Sequence, residues 1–353
     1  MTERGGAPRV AVVGAGAWGT TLATLVGRLE PVALIVREPE AAARIDADRE
    51  NAARLPGIHL SRNVRPTADV AALGAAELVI YAAPSTHLRA SVERTAAAIP
   101  PDADVVSIVK GLERQTLLRM TEVIADAGGI APRRLTALSG PNLAGEIARR
   151  LPASAVVAAE DPEVADRVVE RLARREFRLY VNSDLLGVEL CGALKNVVAI
   201  AAGAAEELGF GDNGKAGLIT RGLAEMTRLG IAAGANPLTF AGLAGIGDLI
   251  ATCSSPLSRN HRLGVELAKG RKWADIERDL PGTAEGAYTV DAAIALAERH
   301  GVDMPIAREV HNALFEGKSV QRCLIDLLNR ESKDELADFP AWAERIRDGA
   351  SLT

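Results

Sequence analysis

A lysine interrupts a long apolar stretch of this chain: Lys195 lies within Leu190-Cys191-Gly192-Ala193-Leu194-Lys195-Asn196-Val197-Val198-Ala199-Ile200. An unpaired ammonium among such neighbours is costly. Burial disfavours its charged form and lowers its pKa, so it becomes a proton acceptor near neutral pH without a metal or a histidine. A second reading stands beside this one, a helix lysine whose stem runs along the core while its head stays wet. Lys110 is the other cation of interest, because it directly follows the apolar run 105–109 and precedes Gly111. There a cation can polarise a carbonyl oxygen or hold a phosphate, the alternative being a solvent-facing loop lysine. Gly140-Pro141-Asn142 reads as a turn that opens a helix, with free amides suited to an anion, with Asn142 as a plain helix cap, or with both.

These side chains need elements to hold them. Arg9-Val10-Ala11-Val12-Val13 reads as a buried strand running into Gly14-Ala15-Gly16-Ala17-Trp18-Gly19. Gly14 permits the tight turn, Gly16 lets the backbone approach a pyrophosphate, and Gly19 lets the next helix pack closely on the strand. Residues 20–29 follow as a helix and 32–36 as a second strand, which completes a dinucleotide-binding unit. Arg37 and then Glu38 end that strand. An arginine there suits a ribose 2'-phosphate and a carboxylate the 2'-hydroxyl, so NADP(H) is the expected preference with NAD(H) possible.

The pattern changes period once along the chain. Strand candidates at 78–82, 105–109, 135–138, 155–159 and 177–181 alternate with helical stretches, as a doubly wound sheet requires. Beyond Asn182 only helices are expected, at 185–202, 216–233, 237–252, 259–269, 289–300 and 306–315. The expected fold class is therefore α/β, an N-terminal Rossmann-type doubly wound sheet over 1–182 followed by an all-helical C-terminal domain over 183–340, with a charged tail at 341–353. A loop at 203–214 and a turn at 254–258 are too short for interdomain linkers, so the halves should pack closely around a cleft.

Composition narrows the function classes. With 353 residues and 48% hydrophobic content the chain can bury two cores, and a net charge of -5 without a basic stripe argues against nucleic acid as a partner. Cys191, Cys253 and Cys323 are far apart and five histidines are scattered, so neither a disulfide framework nor a metal site is expected. The polar opening 1–8 does not read as a signal peptide, and no clean membrane span is expected. A cytoplasmic location follows as the expectation.

Taken together these motifs resemble the bacterial NAD(P)-dependent glycerol-3-phosphate dehydrogenases from residue 9 to about 315. The likeness rests on the glycine loop with Trp18, Pro84-Ser85, Lys110-Gly111, Ser139-Gly140-Pro141, Leu194-Lys195-Asn196, Gly211-Asp212-Asn213 with Lys215-Ala216, Gly245-Ile246-Gly247-Asp248-Leu249 and Ser258-Arg259-Asn260. It implies reversible hydride transfer between NAD(P)H and dihydroxyacetone phosphate, giving sn-glycerol 3-phosphate for phospholipid synthesis. Lys195 is then the proton acceptor, with Lys110 and Asp248 the other catalytic groups. Substrate contacts fall to Lys110, Gly140, Asn142, Lys195, Asp248, Ser258, Arg259 and Asn260. Cofactor contacts fall to Gly14, Gly16, Ala17, Trp18, Gly19, Arg37, Pro84, Lys110, Ala144, Arg259, Thr283 and Glu285, and no metal is implied. Without the resemblance Arg259 reads as a surface arginine. Asn142-Leu143, Ala17 and Thr283-Ala284 depart from the usual family residues, so Asn142 and Ala17 rank low as side-chain ligands. The partner is a small phosphorylated substrate, with a homodimer possible. The alternatives are a related 3-hydroxy-acid or 6-phosphogluconate type of dehydrogenase, or a non-catalytic NAD(P)-binding sensor.

Overall fold

Short, fully buried strands of branched apolar residues set up the first half of the molecule. The computed structural model describes residues 6–280 and 282–331, so the charged tail expected at 341–353 lies outside the described residues. Its sheet contains β1 (Val10–Val13), β2 (Val32–Ile35), β3 (Val64–Thr67), β4 (Leu78–Tyr81), β5 (Asp104–Ser107), β6 (Leu135–Ser139), β7 (Ala153–Ala159) and β8 (Phe177–Asn182) in the order β3-β2-β1-β4-β5-β6-β7-β8. The first six strands are parallel; β7 pairs antiparallel with β6 and parallel with β8. Strands β1, β2, β4 and β5 are buried along their whole length, as parallel strands covered on both faces must be. β3 was not among the strands expected from the sequence; Pro66 lies within it and is tolerated because β3 is an edge strand.

Two apolar layers cover the sheet. One carries α1 (Ala17–Val26), α2 (Pro39–Asp48) and α6 (Pro162–Leu172); the other carries α3 (Leu88–Thr95) and α4 (Met120–Gly128). The short α5 (Ala144–Ala148) follows β6. After β1 the chain goes to β2 and β3 on one side, then to β4 on the other. The carboxyl ends of β1 and β4 therefore flank the crevice where such sheets take ligands.

The second half is helical: α7 (Leu185–Glu207), α8 (Gly211–Ala232), α9 (Pro237–Phe240), α10 (Asp248–Ser254), α11 (Arg259–Ala268), α12 (Trp273–Asp279), α13 (Glu285–Arg299), α14 (Pro305–Phe315) and α15 (Val320–Leu328). α7 is its axis, buried nearly from end to end. By length and composition alone, α7, which carries Glu189 and Lys195, and the segment Pro237–Ser254 are apolar enough to cross a membrane. α7 spends that apolar surface on the core, with 94% of its most apolar window buried.

Two expectations are corrected. The loop expected at 203–214 is mostly helix, since α7 runs to Glu207 and α8 begins at Gly211. Gly203 is there for packing, because a Cβ would collide with the His261 backbone of α11; only Gly209 and Gly211, both at positive φ, turn the chain. The single helix expected at 237–252 is broken. Gly245 has a non-helical backbone, φ -85 and ψ -106, and a Cβ there would strike the Phe240 carbonyl. The break makes Asp248 the first residue of α10, so its side chain is placed by the end of a helix.

Candidate active site

At the crevice between β1 and β4 the backbone is cut to fit an anion. Gly14 has φ +114, and a Cβ on it would sit 2.9 Å from the Ala82 carbonyl carbon. Gly19 lies against Gly14 itself, where a side chain has no room. Gly16 caps α1 and Ala17 begins it, so the first-turn amides of this helix face the crevice with the positive end of its dipole. Asn51, buried and not foreseen from the sequence, locks the loop by donating to the Ala15 carbonyl at 2.9 Å and to Thr20 Oγ1 at 2.8 Å. The Trp18 ring packs edge-on to Phe177 at 6.1 Å, so its side chain braces the sheet while its amide stays with the loop. Arg37 and Glu38, just beyond β2, are exposed and paired with each other at 2.7 Å. The geometry of this cradle is one a dinucleotide pyrophosphate would fit, and the backbone of Gly14, Gly16, Ala17 and Gly19 is what could hold it.

Pro84 opens a short turn over Ser85–His87 beyond β4. Glu285, at the start of α13, reaches across to it: its carboxylate accepts from the Ser85 amide at 3.3 Å and from the Ser85 hydroxyl. Burial raises the Glu285 carboxyl, against those bonds. Thr283 lies two residues earlier, and Ala144 begins α5, with its carbonyl accepting from Thr21 Oγ1 of α1 at 3.1 Å.

Across the cleft a buried carboxylate bridges two ammonium groups. Lys195 Nζ donates to Asp248 Oδ1 at 2.9 Å and to Thr252 Oγ1 at 2.6 Å. Lys110 Nζ donates to Asp248 Oδ2 at 2.6 Å and to the Gly140 carbonyl at 3.0 Å. Lys195 is 6% exposed and Asp248 2%. Burial is the largest influence on Lys195 and pulls its pKa from 10.5 to about 8, with Lys110 adding to the shift and Asp248 opposing it. Burial alone would raise the Asp248 carboxyl, but the two ammonium groups outweigh it and hold it below the usual carboxylate range. That shift is the one a proton acceptor working near neutral pH would need, and at 6% exposure the snorkelling alternative does not describe Lys195. Thr252 was not foreseen, although its i+4 spacing from Asp248 puts both on one face of α10.

Gly140 has φ +143 and packs its α-carbon against Ala155 at the end of β6, which aims its carbonyl at Lys110. Asn142 is not a helix cap. The cap position of α5 is Leu143, without a side-chain bond, and both polar atoms of the Asn142 amide are buried with no partner. α5 begins at Ala144, which leaves Asn142 one residue ahead of the cap position.

The third cluster opens α11. Ser258 is its N-cap, accepting from the His261 amide at 3.2 Å. Arg259 is exposed and lies against Gly282, and Glu285 acts on it as the opposing charge. The Asn260 side chain is committed to the frame: Nδ2 donates to Asn196 Oδ1 at 2.9 Å and Oδ1 accepts from the Gly286 amide at 2.9 Å. Any contact of Asn260 with a ligand therefore falls to its backbone, at a helix start suited to phosphate. Among the described residues no group of histidine, cysteine, aspartate and glutamate is arranged to hold a metal.

Models of the N-terminal and C-terminal parts of NAD-dependent glycerol-3-phosphate dehydrogenase match residues 9–165 and 184–325. A Streptomyces coelicolor protein named glycerol-3-phosphate dehydrogenase (NAD(P)+) is 45% identical over 329 residues, covering 93% of this chain and 98% of that relative. Its Koribacter versatilis namesake is 46% identical over 93% of this chain and 99% of its own length. The crystal structure of glycerol-3-phosphate dehydrogenase from Coxiella burnetii superposes with a TM-score of 0.87 at 35% identity, covering 91% of this chain and 98% of that one.

Proposed function

Since the chain belongs to the NAD-dependent glycerol-3-phosphate dehydrogenase family, we propose that it interconverts sn-glycerol 3-phosphate and dihydroxyacetone phosphate through Lys195, Lys110 and Asp248. It is an NAD(P)-dependent oxidoreductase acting on a CH-OH group. The observation that carries the residue assignment is the buried Lys195–Asp248–Lys110 bridge, with a lysine poised to titrate near neutral pH.

When bound, a nicotinamide cofactor would supply or accept the hydride at C2. Lys195 takes the C2 hydroxyl proton in oxidation and returns it in reduction. Lys110 orients the same oxygen, and Asp248 holds both ammonium groups on it. Ser258, Arg259 and the amides opening α11 take the substrate phosphate, with Arg259 offering a planar fork. Binding energy spent on the phosphate positions C2 for reaction. Gly140 and Asn142 line the substrate side. The dinucleotide would be held by the loop from Gly14 to Gly19 with Ala17 and Trp18, and by Pro84, Lys110, Ala144, Arg259, Thr283 and Glu285.

NADPH is the preferred cofactor on this reading, because Arg37 can leave Glu38 for a 2'-phosphate while Glu38 still accommodates a 2'-hydroxyl. Michaelis constants for NADPH and NADH test it. Arg37→Ala should raise the NADPH constant roughly tenfold and leave NADH nearly unchanged; an unaltered NADPH constant overturns the preference. The division at 1–182 and 183–340 and a cytoplasmic homodimer belong to the same reading. Exposed Ile231, Leu238 and Ile250 on the helical domain support self-association, which light scattering in solution checks.

A further inference from the structure

Lys195 and Lys110 come from opposite halves of the molecule, yet both must meet one substrate oxygen. Something has to fix α7 against the sheet domain. Glu189, on α7, lies six residues before Lys195, about 9 Å along the helix axis. Glu189, Gly192 and Lys195 follow one another at i, i+3 and i+6, along one slowly turning ridge of the helix. At Gly192 that ridge meets the sheet domain closely, since a Cβ there would sit 3.0 Å from Ser139 Oγ and 3.4 Å from Lys110 Cγ.

One turn further toward the helix start, Glu189 takes hold of the same domain. Oε1 accepts from the Thr121 amide at 2.9 Å, while Oε2 accepts from Thr121 Oγ1 at 2.6 Å and from Arg119 Nη1 at 2.6 Å. Thr121 lies in the first turn of α4, whose free amides favour a carboxylate. The Glu189 side chain is 4% exposed, so this carboxylate, removed from water, is answered at both oxygens. A slide of α7 would disturb all three bonds together, since they converge on one carboxylate.

We propose that Glu189 is a positioning residue of the reaction: it latches α7 to the N-terminus of α4 and so sets where Lys195 stands relative to Lys110 and the glycine-loop side of the cleft. The proposal rests on Lys195 as the proton acceptor. Among the described residues the other polar links between the halves do not duplicate the latch. Ser85–Glu285 and Lys110–Asp248 belong to the ligand-facing site, and Arg114–Asp291 joins an arginine that is 68% exposed.

The test compares the full-length Glu189→Ala, Glu189→Gln and Thr121→Val proteins by steady-state kinetics and by the isotope effect with NADPH deuterated at the transferred position. Glu189→Ala should lower kcat at least tenfold and raise the isotope effect, with the Michaelis constant for dihydroxyacetone phosphate and the NADPH dissociation constant measured by fluorescence within about threefold of wild type. Glu189→Gln keeps the shape and an acceptor for Thr121, and should recover most of kcat. Thr121→Val, which keeps Glu189 and loses one bond, should show a smaller shift in the same direction and serves where Glu189→Ala does not fold. Unchanged kcat and isotope effect in both Glu189→Ala and Thr121→Val, or in Thr121→Val alone where Glu189→Ala does not fold, would overturn the proposal. Full turnover in Lys195→Ala would instead overturn the acceptor assignment on which it rests.

Discussion

Asp248 makes Lys195 usable. Burial by itself would carry the lysine further down, and the carboxylate at 2.9 Å holds it at about 8. The working acid and base forms thus lie within about a unit of neutrality, where general acid–base catalysis is most effective. The rate of glycerol phosphate oxidation should rise as pH passes upward through about 8, as Lys195 loses its proton, and ketone reduction should fall over the same range. Profiles of kcat/KM against pH check this, and profiles flat across that range would count against Lys195. Lys195→Ala should cost about 10²–10⁴ in kcat while cofactor binding is kept, as single-turnover and binding measurements would separate. Both lysines stand out in the sequence because a cation in an apolar run, or just after one, is physically anomalous. Arg259 does not stand out, because nothing local distinguishes it from a surface arginine. Thr252 was within reach through its spacing from Asp248, and Asn142 misled because a turn-forming residue before a helix usually caps it.

Helix packing explains where the element boundaries went astray. Glycine reads as punctuation, yet Gly203 and Gly264 let α7 and α11 cross with backbone against backbone, and a Cβ at Gly264 would collide with the Ile200 carbonyl. Gly264→Ala should therefore destabilise the folded protein by about 1–3 kcal/mol; a melting temperature equal to wild type would deny that the crossing is tight. Glu225 of α8 is the other structural device at this scale. It is 3% exposed and accepts from the Ile306 amide at 2.8 Å, at the start of α14, and burial pushes its carboxyl up to about 7. An unfolded glutamate titrates near ~4.3. From there up to about 7 the unfolded chain gives up its proton while the folded one keeps it, so stability from this group is present at acid pH and lost as pH rises through that window. Glu225→Gln keeps an acceptor for the amide and has no proton to lose. Its melting temperature should gain on wild type by roughly 3–5 °C between about pH 5 and about pH 8, and a constant difference would refute the shift.

Across the whole molecule the change from alternating strands and helices to helices alone was legible, because strand and helix periods differ along the sequence. The contacts that join the halves were not. Lys110 and Asp248 are 138 residues apart and Glu189 and Thr121 are 68 apart, and no local pattern states that they meet. The reversal of β7 and β8 relative to the first six strands was equally hidden, since a strand's pattern reads the same in either direction. An overall charge of -5 surrounds a cleft in which the proposed site places the cations Lys110, Lys195 and Arg259. On that reading a local field, and not the net charge, would select an anionic substrate.

That selection is the most direct point of attack on the account. The absorbance of NADPH should be followed with the purified protein and dihydroxyacetone phosphate, then with unphosphorylated dihydroxyacetone at the same concentration. Rapid oxidation that requires the phosphate, lost in Lys195→Ala and weakened in Arg259→Ala mainly through KM, is the predicted result. Equal rates with both ketones, or no oxidation by a protein that still binds NADPH, would contradict it.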